Sequence, residues 1–187
     1  MKLLFYIILS FSVLLTAGCK QKKTSVTPEE IEKAVRKNPN LNAGSDSYSI
    51  TAPDGWDKTD TLLMGMRATV IFSPVEGSSD EFRENINIVT EKIGNKTAEE
   101  YLDLSRVNMK SMLTELKEIN NGTKEISGHT ASWMRYSHSY MGYPLEVKVY
   151  MLIADEIAYV ITCTCKKGEM DNWEKQFDDC VATFSTI

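Results

Sequence analysis

The chain has 187 residues, of which 42% are hydrophobic and 25% charged, with 10 Gly and 5 Pro. This composition suits one globular domain with a short extra segment, and it excludes a collagen-like, low-complexity or wholly disordered chain. The formal net charge is −5 and becomes −6 without residues 1–18, whose one charged side chain is Lys2. That sign gives no whole-molecule attraction to phosphate backbones, so no nucleic-acid partner is expected.

The N-terminus carries the strongest signal. Lys2 precedes an apolar run from Leu3 to Leu15, 13 residues long and broken only at Ser10 and Ser12. That is short of the roughly 20 residues a spanning helix needs, and it fits the apolar region of a secretory leader. Thr16, Ala17 and Gly18 follow, then Cys19. The stretch resembles a bacterial lipobox, with Thr16 where an aliphatic residue is usual. The resemblance implies cleavage after residue 18 and acylation of Cys19. Each buried methylene contributes on the order of 0.8 kcal/mol, so two or three chains, palmitate among them, hold a protein to a leaflet without spanning it. Lys20-Gln21-Lys22-Lys23-Thr24-Ser25 reads as a solvated tether. Lys20, rather than Asp, follows the cysteine, which favours an outer-membrane, periplasm-facing position in a Gram-negative host.

Thr27-Pro28-Glu29-Glu30 has the pattern of a capping box, which predicts a short helix to about Lys37, before Asn38-Pro39. A loop follows to residue 46. Tyr48, Ile50 and Ala52 alternate with polar residues and run into Pro53-Asp54-Gly55 as a strand and turn, with Trp56 after it. Residues 67–73 and 85–93 read as strands. Thr97-Ala98-Glu99-Glu100 is a second capping box. Behind it Tyr101, Leu102, Met109, Met112, Leu113 and Leu116 fall at helical spacing, which predicts a long helix over 98–115. Asn120-Asn121-Gly122 reads as a turn. Strands follow over 130–140, 145–154 and 157–165, separated by Gly142-Tyr143-Pro144 and Asp155-Glu156. Met170, Trp173, Phe177, Cys180, Val181 and Phe184 form one stripe of a closing amphipathic helix. A two-residue loop at Asp155-Glu156 sets Leu152 beside Tyr159, Tyr150 beside Ile161 and Lys148 beside Cys163. Apolar residues then occupy both sheet faces, which calls for helices on both.

The opening Tyr48-Ser49-Ile50-Thr51-Ala52-Pro53-Asp54-Gly55-Trp56, the Asn85-Ile86-Asn87-Ile88-Val89 strand, the long helix, the three-strand meander and the last helix ending in Phe184-Ser185 resemble the PsbP-like superfamily, and within it the bacterial DcrB-like envelope lipoproteins. The likeness covers about residues 46–187. It implies an α+β fold, an α/β/α sandwich in which a mainly antiparallel sheet is covered by a long central helix and a C-terminal helix. The domains are then a leader over 1–18, a lipidated Cys19 with linker and short helix over 19–46, and the PsbP-like domain over 47–187. It implies no chemistry: members mostly work by touching other macromolecules.

The residue inventory for chemistry is sparse. Cys163, Cys165 and Cys180 remain once Cys19 is acylated. The depth of Cys180 along the last helix favours a Cys163–Cys180 bridge with Cys165 free, the alternative being three reduced, buried thiols. Cys163-Thr164-Cys165 is a weak pattern for a soft metal, and no metal or cofactor is assigned. His129 reads as exposed; His138 shares strand parity with Met134 and Tyr136. Asp54, Asp57, Asp60, Asp178 and Asp179 read as loop or solvated helix face. No catalytic residue is assigned. Trp56, Tyr136, Tyr140 and Tyr143 are candidates for a contact surface, with sheet packing as the alternative. The expected function is non-enzymatic: an envelope lipoprotein held to a membrane by its acyl chains and acting on an envelope protein. The alternative is a small-ligand or lipid binder with a cleft between sheet and long helix.

Overall fold

The computed structural model describes residues 48–63, 66–75, 77, 82–93, 96–140 and 142–187. The expected leader, Cys19, tether and first short helix lie outside the described residues. The elements are β1 (Tyr48–Ser49), β2 (Asp57–Leu63), β3 (Met66–Phe72), β4 (Asn85–Lys92), α1 (Ala98–Met112), β5 (Thr114–Ile126), β6 (His129–Tyr140), β7 (Tyr143–Ala154), β8 (Ile157–Lys166), α2 (Met170–Ala182) and β9 (Ser185–Thr186). Seven strands form one antiparallel sheet in the order β2-β3-β4-β8-β7-β6-β5, and β1 pairs with β9 beside it.

Local chemistry explains the joints. Asp155 and Glu156 both take positive φ, 49° and 62°, as the tight hairpin turn that matches strand twist requires. The loop therefore has two residues, and Leu152–Tyr159, Tyr150–Ile161 and Lys148–Cys163 are the observed partners. The capping box at α1 forms: the Glu100 amide donates to Thr97 Oγ1 at 3.2 Å and the Thr97 amide to Glu100 Oε2 at 2.8 Å.

Four expectations are corrected. The first helix has 15 residues against 13 in α2, so it is not a long central helix. Leu113 is already extended and Glu115 turns at φ 57°, so the chain passes straight into β5. Asn120-Asn121-Gly122 lies within β5 rather than in a turn, because pairing with β6 holds it: Gly122 sits opposite Trp133, and a Cβ there would come within 2.9 Å of the indole. Asp57 and Asp60 belong to a strand, β2, whose charged sequence suits the edge of a sheet. The Arg83 guanidinium meets Asp57 at 2.6 Å, and Asp60 accepts from Thr69 Oγ1 at 2.6 Å.

The two helices pack on opposite faces. On one, Phe177, Cys180 and Val181 of α2 join Ile71, Ile86, Ile88, Tyr150, Leu152 and Ile161 of the sheet, with Tyr48, Trp56 and Phe184 completing the cluster. On the other, Tyr101 and Met109 of α1 meet Met134, Tyr136, Val147, Val149, Met151 and Val160. Burying a side chain such as Phe177 or Val181 contributes about 1.5–3 kcal/mol, so these faces hold the helices in place.

Candidate functional site

The densest cluster of charged groups lies under α2. Asp171, Glu174 and Asp178 recur at i, i+3 and i+7 and form an acidic flank beside the apolar stripe. They meet three cations on the sheet. Arg135 and Lys148 are cross-strand partners on β6 and β7, and Lys124 lies on β5. Lys148, only 4% exposed, donates to Glu174 at 2.7 Å and Asp178 at 2.9 Å. Arg135 reaches Glu146 at 2.5 Å and Asp171 at 2.8 Å, and Lys124 reaches Asp178 at 3.2 Å. The Lys148 ammonium also sits 5.0 Å over the Trp133 ring and 5.3 Å over the Tyr150 ring, favourable cation–π positions. The Tyr150 hydroxyl donates to Asp178.

These groups stabilise one another. Burial pushes the Asp178 carboxyl up, but the Tyr150 hydroxyl and the Lys148 and Lys124 charges outweigh it and hold the carboxyl below its ordinary value. Burial and the bond to Asp178 push the Tyr150 phenol up, and burial with the neighbouring Cys180 lifts the Cys163 thiol well up. Cys165 is lifted likewise, first by burial and then by Glu146, and burial pushes Cys180 up to about 11. Thiols of that kind are weak nucleophiles at neutral pH. The cluster works as a clasp that seats α2 on the sheet.

Cys163, Cys165 and Cys180 are all free and buried, so the favoured Cys163–Cys180 bridge is not formed. The Cys180 thiol is turned to the Thr51 carbonyl at 3.2 Å, and the Cys165 thiol lies 3.8 Å from the Glu146 carbonyl. Among the described residues no group of three or more His, Cys, Asp or Glu side chains is arranged to hold a metal ion.

The aromatic contact surface is also redrawn. Trp56 is 8% exposed and packs edge-on to Trp173 and Phe177; Tyr136 is 2% exposed in the other core, 5.8 Å from His138. Both are core residues, Trp56 on the α2 side of the sheet and Tyr136 on the α1 side. Tyr140 is half-buried and Tyr143 is 39% exposed; they pair at the tip of the β6–β7 hairpin, so its loop is shorter than Gly142-Tyr143-Pro144 suggests. Pro144 beside them is exposed, and Lys166 and Lys167 are exposed close by, since the Lys167 amide donates to the Pro144 carbonyl at 3.1 Å.

On the opposite face a groove runs between α1 and the β5–β6 edge. One end, about 220 Å³, is walled by Arg106, Met109, Lys110, Leu113, Leu116, Glu118 and Met134. The other, about 230 Å³, is walled by residues that include Leu102, Asn121, Thr123, Ser132 and Met151. Arg106 and Met134 belong to both. Further along this face, the buried Glu91 accepts from the Tyr101 hydroxyl at 3.0 Å, and burial raises its carboxyl, which the Tyr101 bond and Lys96 only partly offset. The clasp is absent from the expectations drawn from the sequence; a cleft between sheet and long helix is among them, as the alternative, without the residues that line it. Acidic residues three and four apart on α2 and basic residues at equal parity on β6 and β7 were visible signals for the clasp. The lining of the groove had none, because it depends on where α1 crosses the sheet.

No family model matches the chain, and no curated protein matches it in sequence. Solved structures do match its shape. LpqN of Mycobacterium tuberculosis, involved in cell envelope biogenesis, aligns with TM-score 0.61 at 13% identity, covering 88% of this chain and all of that one, 100%. The cyanobacterial PsbP of Synechocystis aligns with TM-score 0.50 at 16% identity, covering 78% and 96%. The chain has a PsbP-like fold. PA94 of Pseudomonas aeruginosa, a protein of unknown function, aligns with TM-score 0.57 at 16% identity, covering 75% and 96%. At these identities the PsbP-like likeness carries the architecture and leaves activity to the site itself. Among the described residues no helix is long and apolar enough to cross a membrane.

Proposed function

We propose that this protein is a bacterial envelope lipoprotein, anchored through acyl chains on Cys19, whose PsbP-like domain works by binding another envelope protein rather than by catalysis. The polarity of the domain carries the reading. Tyr48, the N-terminal residue of the described domain, pairs with Thr186, whose amide donates to Ser127 Oγ at 3.3 Å in the β5–β6 turn. The exposed Tyr143, Pro144, Lys166 and Lys167 lie at the other end of the sheet. Along the 12 residues of β6 this is about 35 Å away at ~3.3 Å per residue. A tethered domain so arranged offers an end with an exposed Tyr away from its point of attachment, and Tyr is enriched where proteins meet. The envelope role of LpqN fits the same placement, and the clasp under α2 leaves its charged groups spent on packing. An outer-membrane, periplasm-facing position is part of the proposal.

Two measurements test it. Intact-mass analysis is expected to find a product starting at residue 19 with added acyl mass, and a Cys19→Ala chain is expected to leave the membrane fraction. A photo-crosslinking residue at Tyr143 is expected to give a discrete protein adduct that the same residue at Glu125, on the tether side, does not. Unchanged membrane fractionation of Cys19→Ala removes the anchor; equal adducts at both positions remove the distal contact.

A further inference from the structure

We infer that the groove between α1 and the β5–β6 edge is a binding site for one single-chain amphiphile with an anionic head, such as a fatty acid or a lysolipid. The inference rests on this groove alone and stands whether or not the chain is anchored. Both ends have a mixed lining. One is floored by Met109, Leu113, Leu116 and Met134 and rimmed by the charged Arg106, Lys110 and Glu118. Methionine is unbranched and adapts its shape, which suits a flexible hydrocarbon chain. The other end sets the Asn121 amide and the Thr123 and Ser132 hydroxyls, neutral groups able to hydrogen-bond an oxygen-rich head, beside the apolar Leu102, Trp133 and Met151. Arg106 stands in the wall of both ends, and Lys110 stands at the first.

Charge and size select the occupant. Among the described residues Arg106 pairs with Asp103 at 3.7 Å, with side chains 41% and 68% exposed. An exposed pair of that kind is worth little and exchanges readily for a ligand carboxylate or phosphate. Glu118, the acidic wall residue, accepts from Asn121 Nδ2 at 2.7 Å. At about 220 and 230 Å³ the two adjoining hollows, which share Arg106 and Met134 in their walls, are each somewhat below the ~300 Å³ of ordinary small-molecule sites. A helix with its side chains is about 10–12 Å across and needs an open trough; the space here suits one extended chain. The tail is placed against Leu113 and Leu116, the head beside Arg106 and Ser132.

The test uses the processed chain beginning at residue 19 with Cys19→Ala, which carries no acyl group of its own. Laurate, lysophosphatidylglycerol and the uncharged dodecyl maltoside are titrated calorimetrically in separate arms. Laurate or the lysolipid is expected to bind one per chain. Arg106→Glu is expected to weaken it at least tenfold, and Leu116→Trp, which fills the tail end, to abolish it, with the melting temperature of each variant near that of the parent. Should Leu116→Trp fail to fold, Thr123→Trp, at an exposed position, blocks the head end instead. Tighter binding of laurate marks a free fatty acid as the occupant and tighter binding of the lysolipid a phospholipid product; both support the site. No binding of either anionic probe, binding indifferent to the filling variants, or dodecyl maltoside binding as tightly as laurate with Arg106→Glu without effect overturns it.

Discussion

Asp178 and Asp179 are neighbours in sequence, yet removing them is expected to have very different consequences. Asp178→Ala takes from the buried Lys148 one of the two carboxylate partners it has among the described residues, from Lys124 an ion-pair partner, and from the Tyr150 hydroxyl its acceptor. Breaking a buried ion pair from one side costs about 3–5 kcal/mol. Asp178 is 28% exposed and Glu174 stays at 2.7 Å from Lys148, so the low end, about 3 kcal/mol, applies. Asp179 meets Lys175 at 2.5 Å, but their side chains are 65% and 87% exposed, and a helical surface pair of this spacing is worth about 0.3–0.5 kcal/mol. Urea unfolding followed by tryptophan fluorescence separates the two. With a slope of roughly 2 kcal/mol per molar, the midpoint falls by about 1.5 M for Asp178→Ala and by under about 0.3 M for Asp179→Ala. Replacing both partners by apolar residues, Lys148→Met with Asp178→Leu, is expected to recover much of the loss, because no buried charge is left unpaired. The sign with pH follows from the depressed carboxyl. The contribution of Asp178 is complete above the unfolded value near 3.9 and is lost as pH falls through the lower folded value. The gap between parent and variant therefore closes in strong acid. Equal midpoints for the two alanine variants, or a loss at Asp178 under about 1 kcal/mol, would refute the clasp.

Two other outcomes follow from buried groups. Burial raises the Glu91 carboxyl, so its ionised form weakens the fold at neutral pH, and the parent gains stability as pH falls through the raised value toward the unfolded value near 4.3. Glu91→Gln keeps an acceptor for the Tyr101 hydroxyl and is expected to be more stable at pH 8 by on the order of 1 kcal/mol, with the difference shrinking toward pH 4; a difference independent of pH in thermal melts sinks this account. For the cysteines, the unreduced chain is expected to yield three thiols beyond Cys19 once denatured. With Cys180 at about 11, its thiolate fraction at pH 8 is about 10⁻³, so native labelling is slow. A count of one thiol would restore the bridge that the structure lacks.

Sequence periodicity made the meander legible. Asp155-Glu156 between two apolar runs set the register of β7 and β8, and every predicted pair there is observed. The capping box at Thr97 located the start of α1 for a similar local reason: the two reciprocal bonds involve residues three apart. Edges and ends were harder to read. The charged β2 and the Asn120-Asn121-Gly122 stretch look like loop because their polarity suits a sheet margin, where one side of the backbone faces no further strand of the sheet. The helix end at Met112 was overread because Leu113 and Leu116 continue an apolar spacing that in fact lines the groove across a change of element.

The residues by themselves determined the strand pairs closed by short turns, the capped helix, the apolar stripe of α2 and the leader-like N-terminus, because each depends on groups a few positions apart. Tertiary structure alone decided that Trp56 and Tyr136 lie in cores while Tyr143 stays exposed, that Asp178 is clasped while Asp179 is not, and that Arg106 stands over a cleft of methionines and leucines. Those outcomes depend on which surfaces meet across the sheet, and residues 30 or more positions apart acquire a common environment only when the chain has folded.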